Sequence, residues 1–238
     1  MALKPAHVRC PLYAALRDET TTVDVQESLA ADWLASQPGQ PLILVGQIRD
    51  YGDSMLAEQF PRAVVGKLGQ RTGAGHRGPL LVAWPNLAHL AQLQHLDSAE
   101  AICVIEGVGV LQAPWLRAQR AIDLATGVRL EPKADIVPPV VAVAVRSLIP
   151  MLNGLSSSRD KPTVVDAFCH LKASGYGLDP TAVYEFALHV GADGGEASLM
   201  YEVATKLRAG HNFRRSQRLR ADIVRHWEKD AAAHGGRN

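Results

Sequence analysis

Three polar residues stand where an α/β sheet would gather a ligand: Asp50, Asn86 and Glu106. Each follows a short, unbroken apolar run, Pro41 to Gly46, Leu80 to Trp84 and Ala101 to Ile105, which reads as a strand buried on both faces of a parallel sheet. Ligands collect at the carboxyl ends of such strands, because loops and helix starts converge there with unpaired donors. Asp50 or Asp53 with Glu106 would supply paired carboxylates for acid/base work or for a cation. Gln47, Arg49, Trp84, Gly107 and Gly109 share the same loops. Helix caps and solvated loop residues are the competing explanation of all of them.

A second concentration of chemistry lies near the C-terminus. Between Lys206 and Lys229 eight basic residues (Lys206, Arg208, Arg214, Arg215, Arg218, Arg220, Arg225, Lys229) face two acidic ones, Asp222 and Glu228. That stretch carries +6 and the remainder of the chain −5, although the whole has a net charge of only +1. Read as one helix from 212 to 233, it sets Arg214, Arg218 and Arg225 in a narrow arc opposite Leu219, Ile223 and Trp227. Such a helix presents Arg208, Arg214, Arg215, Arg218 and Arg225 to phosphates or to an acidic protein. It equally suits a solvated face paired with the acidic remainder.

Other chemistries find little support. His89 and His95 are six apart and turn to different faces of a helix, and no H-E-x-x-H occurs, so no metal site is expected. Cys10, Cys103 and Cys169 form no C-x-x-C pair, a usage that suits a reducing cytoplasm. Neither VVGKLGQRTGAGHRG nor EGVGVLQAP has the glycine spacing of a phosphate loop, and Ser156 to Ser158 lack the context of a nucleophile elbow. No pattern names a cofactor. The run from Val140 to Leu152 is interrupted by Arg146 and Pro150 and is too short to span a membrane. The N-terminus has no continuous apolar stretch of the kind a signal peptide needs.

The elements that must position these residues follow from hydrophobic spacing. Thr22 to Gln37 reads as a capped helix, Ser54 to Leu68 as a helical pattern broken at Pro61, Asn86 onward as a helix, and Pro114 to Leu124 as another. Three strands are few for a sheet, and further ones are expected before Thr22 or at Val128 to Leu130. From Glu131 the composition changes, and five helices are expected near 140–153, 161–174, 180–190, 196–209 and 212–233. Lys161 to Val190 has the outline of a helix-turn-helix, but its second helix offers Glu185 and His189 and no Arg, Lys, Asn or Gln for base edges.

The expected fold is α/β: a small parallel sheet with flanking helices in Rossmann-like βα units, followed by an all-helical C-terminal region. The expected boundary separates residues 1–135 from residues 136–238. Three functions fit. The first is a cytoplasmic binding or regulatory protein contacting nucleic acid or an acidic partner through its basic C-terminal helix. The second is an enzyme, a hydrolase or nucleotide-dependent transferase, using the strand-end cleft, on fold analogy alone. The third is an assembly protein in which the apolar run after Val137 forms a homodimer.

Overall fold

The computed structural model describes residues 8–17, 21–69, 75–93, 96, 98–107, 111–133, 136–152 and 160–235. His95, Gly109 and Ser156 to Ser158 lie outside these residues, as does most of the Gly-rich loop after Gly69. The chain divides into two compact units, one ending at Glu131 and the other beginning at Pro132.

The first unit is a six-stranded parallel sheet. Its strands are β1 (Leu12–Ala15), β2 (Leu42–Val45), β3 (Val64–Lys67), β4 (Pro79–Ala83), β5 (Ala101–Ile105) and β6 (Ile122–Asp123), in the order β3-β2-β4-β5-β1-β6. The three apolar runs form adjacent central strands, and every residue of LILV, PLLVA and AICVI is buried. The remaining strands are the ones the sequence hides. β1 falls within the stretch before Thr22 where a strand was expected. β3 occupies residues read as the continuation of a helical pattern, and β6 lies where the helix starting at Pro114 was extended to Leu124. Both are edge strands with little apolar signal: Val64 and Lys67 are exposed, and β6 is two residues long. Val128 to Leu130 contributes an isolated antiparallel bridge from Arg129 to Ile122 and no strand.

The helices are α1 (Val23–Ser36), α2 (Ile48–Gly52), α3 (Met55–Gln59), α4 (Leu87–Leu93) and α5 (Gln112–Ala118). Side chains of successive strand residues point to opposite faces. Ile43, Val45, Leu81, Ala83, Cys103 and Ile105 therefore share one face, where they pack against Ala30, Trp33 and Leu34 of α1 and Leu56 of α3. Right-handed crossovers put α4 and α5, which pack together, on the other face. Neighbouring strands β2 and β4 thus send their chains to opposite faces, and so do β5 and β1. Each pair opens a crevice at its carboxyl end.

The second unit is helical: α6 (Pro139–Leu148) with a 3-10 turn at Ile149–Met151, α7 (Asp160–Ala173), α8 (Pro180–His189), α9 (Gly194–Arg208) and α10 (Ile223–Gly235). The apolar run of α6 is covered within the unit, where α10, α7 and α8 pack on it and Val141, Ala144, Val145 and Leu148 are fully buried. Burial inside its own unit removes the reason for assigning that run to a homodimer. Glu185 of α8 is buried and accepts a hydrogen bond from the Lys133 N–H at 3.2 Å, so this helix is core and not a DNA-reading surface. Among the described residues no helix is long and apolar enough to cross a membrane.

The expected helix from 212 to 233 is corrected by the structure. Regular helix begins only at Ile223, and residues 211 to 222 run as an irregular segment after Gly210, whose φ of +83° ends α9. Arg214 and Arg218 accordingly do not form a helical arc with Arg225. The physical reason is Asp166, which takes the backbone N–H groups that a helix would have used.

Candidate functional site

At the strand ends, the three candidate side chains have different duties. Asp50 is exposed on α2, with its carboxylate 3.4 Å from Arg49 Nε. Asn86 caps α4: its Oδ1 accepts from the His89 N–H at 2.9 Å, and its own N–H donates to His89 Nδ1 at 3.3 Å. Glu106 alone is buried. β4 lies between β2 and β5, so the strands that precede Asp50 and Glu106 are two spacings apart, about 10 Å.

Glu106 sits at the β5/β1 crevice. Its Oε2 accepts from the Arg17 N–H at 2.9 Å, and its backbone N–H donates to the Ala15 carbonyl at 3.0 Å. The buried Gln26 amide of α1 bridges the carbonyls of Ala15 and Glu106 at 2.9 and 3.2 Å. Burial pushes the Glu106 carboxyl above the usual carboxylate range, against the opposing pull of the Arg17 and Ala113 N–H groups and the charges of Arg117 and Arg17. Beside it, Trp84 holds a φ of +50°, a conformation that costs a residue with a side chain about 1–2 kcal/mol. Its N–H donates to the Ile105 carbonyl at 3.1 Å, and a Cβ on Gly107 would come within 3.1 Å of both Trp84 Cα and Cβ. The strand ends are locked together by this close approach.

The second site belongs to the helical unit and is organised by Asp166. This residue of α7 is fully buried, within the apolar stretch of Val164, Val165, Ala167 and Phe168 on the same helix. Its carboxylate accepts from the Ser216 N–H at 2.8 Å, the Ser216 hydroxyl at 2.8 Å and the Arg218 N–H at 2.6 Å. Gln217 between them adopts a φ of +54°, which turns the flanking N–H groups toward one anion. Burial works to raise the pKa of Asp166. The hydrogen bonds from Arg218 and Ser216 and the charge of Arg215 outweigh it and hold the group below the usual carboxylate value.

This clamp fixes the arginine-bearing segment. Arg214, Arg215, Arg218 and Arg220 are exposed along it, and Arg225 is exposed on the first turns of α10. Arg215 Nη2 lies against the His170 ring, 2.9 Å from Nδ1 and within reach of Nε2. A guanidinium can only donate, so of the two ring nitrogens only the one that carries no proton can accept from it. Burial and the Arg215 charge both lower the His170 pKa, with Asp166 opposing them. His170, Arg215, Gln217, Leu219 and Ala221 line a concavity of about 510 Å³. Across Ala221 a second one of about 430 Å³ is bounded by Ser174, Asp222, Arg225 and Glu228. Arg220 pairs with Asp222 at 3.0 Å and Arg208 with Asp179 at 3.0 Å, both as exposed surface contacts.

The arginines were visible in the sequence, whereas Asp166 and His170 were not. Their one signal is a carboxylate in the otherwise apolar VVDAF of α7, which has to be satisfied by something. Among the described residues no group of three or more His, Cys, Asp or Glu side chains is arranged to hold a metal ion.

Comparison with known proteins bears on this second unit. Residues 137–228 match a family model described as a domain of unknown function (DUF1889). The matched stretch runs from the start of α6 into α10 and contains Asp166, His170 and the whole arginine-bearing segment. No curated protein and no solved structure matches the chain.

Proposed function

We propose that the chain is a binding protein that contacts nucleic-acid phosphates through Arg214, Arg215, Arg218 and Arg225. The observation that carries this reading is the Asp166 clamp, which holds an exposed arginine segment in one irregular shape. A segment fixed in advance loses less freedom on binding than one that must order itself. Surface pairs such as Arg208–Asp179 and Arg220–Asp222 are worth about 0–1 kcal/mol and yield readily to a phosphate. A cytoplasmic setting is part of the reading, supported by three free cysteines. The test is fluorescence anisotropy with single- and double-stranded oligonucleotides over a range of salt. Replacing Arg214, Arg215 and Arg218 by Glu should flatten the salt dependence by about three contacts. Association with an acidic protein in place of DNA or RNA would redirect the assignment to a protein partner.

A second reading, an enzyme of the hydrolase or nucleotide-dependent transferase class, draws on one observation: Glu106 is a buried carboxyl with a raised pKa at a strand-end crevice. Glu106→Gln would then abolish any turnover of ester, phosphoester or nucleotide substrates found by screening. Turnover unaffected by that change would remove Glu106 from this role.

A further inference from the structure

The crevice between β2 and β4 has a different composition from the Glu106 crevice. His89 of α4 lies over it, with its ring between two glycines of neighbouring strand ends. A Cβ on Gly46 would stand 3.9 Å from His89 Cε1 and 3.8 Å from the Trp84 carbonyl, and one on Gly69 would stand 3.9 Å from His89 Nε2. Gly69 is explained by its φ of +87°. Gly46 is not: it has no positive φ, and a Cβ there would make only ordinary contacts. What glycine leaves at 46 is an opening beside the imidazole.

The imidazole turns its Cε1 toward Gly46 and its Nε2 toward Gly69. Nδ1 accepts the Asn86 N–H at 3.3 Å, so in the neutral ring the proton is on Nε2. Among the described residues that Nε2–H has no hydrogen-bond partner. Lys67 closes β3 in register with Val45, directly before the Leu68–Gly69 turn that meets the ring, and is exposed. The Leu68 N–H fixes this turn to the Val45 carbonyl at 2.8 Å. Burial and the Lys67 charge both lower the His89 pKa, as expected for a ring beside a cation without an intervening carboxylate.

We propose that the carboxyl end of β2 and β4 binds the anionic group of a small molecule, a phosphate or a carboxylate, between His89 Nε2–H, the Lys67 ammonium and the open backbone at Gly46. The site belongs to the first unit and is independent of the arginine segment.

Histidine resonances of the full chain, with His89 assigned by H89Q, test this by NMR. Inorganic phosphate and succinate are titrated separately at fixed pH. A saturable His89 shift with phosphate identifies a phosphate ligand, and one with succinate a carboxylate ligand. Either response should weaken about tenfold in Lys67→Ala. Gly46→Ala should fold normally and lose most of the response. Arg62→Ala, beside the start of β3, should leave it unchanged. Absence of a saturable shift with both anions overturns the proposal, as does an equal loss in Arg62→Ala, which would mark general screening. Responses at His170 and His211 report the arginine segment separately.

Discussion

At Asp166, one carboxylate does the work usually spread over several capping residues. It is buried, accepts three hydrogen bonds, and decides where α10 begins. Asp166→Asn keeps the size but removes the charge and one acceptor. Loss of a hydrogen bond to a charged group with a donor left buried predicts destabilisation by about 2 kcal/mol, read as a lower urea midpoint. Because the folded pKa of Asp166 is depressed, its contribution is complete above the unfolded Asp value, about 3.9, and is lost as pH falls through the folded value. The difference in stability between the wild type and Asp166→Asn should therefore narrow on acidification below about pH 4. Arg120 offers a converse case. It holds a φ of +57°, and its exposed pair with Glu131 at 2.5 Å is worth little. Arg120→Gly should raise the unfolding free energy by about 0.5–1 kcal/mol, and a fall in thermal midpoint would contradict that account.

Among the elements, what could be read in the sequence was the buried centre. LILV, PLLVA and AICVI are continuous apolar runs because central parallel strands are covered on both faces, and the structure places them side by side. The edges were not legible for the same reason: β3 and β6 lack a second covered face and so carry no such run. α10 failed as a long helix for another reason. Its 3.6-residue spacing holds for Val224, Trp227 and Ala231, which are buried, but Arg214 to Arg220 are governed by a tertiary contact fifty residues away. Of the site residues, the exposed arginines were legible from charge alone, whereas Asp166, His170 and Lys67 acquire meaning only from their neighbours in space. The Gly107 contact gives a test at this scale. Gly107→Ala would press a methyl against Trp84 at 3.1 Å and should cost about 1–3 kcal/mol by urea denaturation. An unchanged midpoint would mean that the β4 and β5 ends are not locked as described.

The whole molecule combines an α/β unit, in which strand-end crevices are built from Glu106, Trp84, His89 and glycines, with a helical unit bearing most of the positive charge. The +6 between Lys206 and Lys229 against −5 elsewhere is a segregation that a net charge of +1 conceals. Phosphate binding by such a surface releases counterions, so its affinity falls steeply with salt. The most direct measurement is the salt dependence of oligonucleotide binding for the wild type, the Arg214/Arg215/Arg218 triple Glu variant and Asp166→Asn. The account predicts a steep slope for the wild type and a slope about three contacts shallower for the triple variant. It also predicts weakened binding in Asp166→Asn, whose arginines are intact but no longer held in place. Binding that is absent in the wild type, or equal in all three proteins, would contradict it.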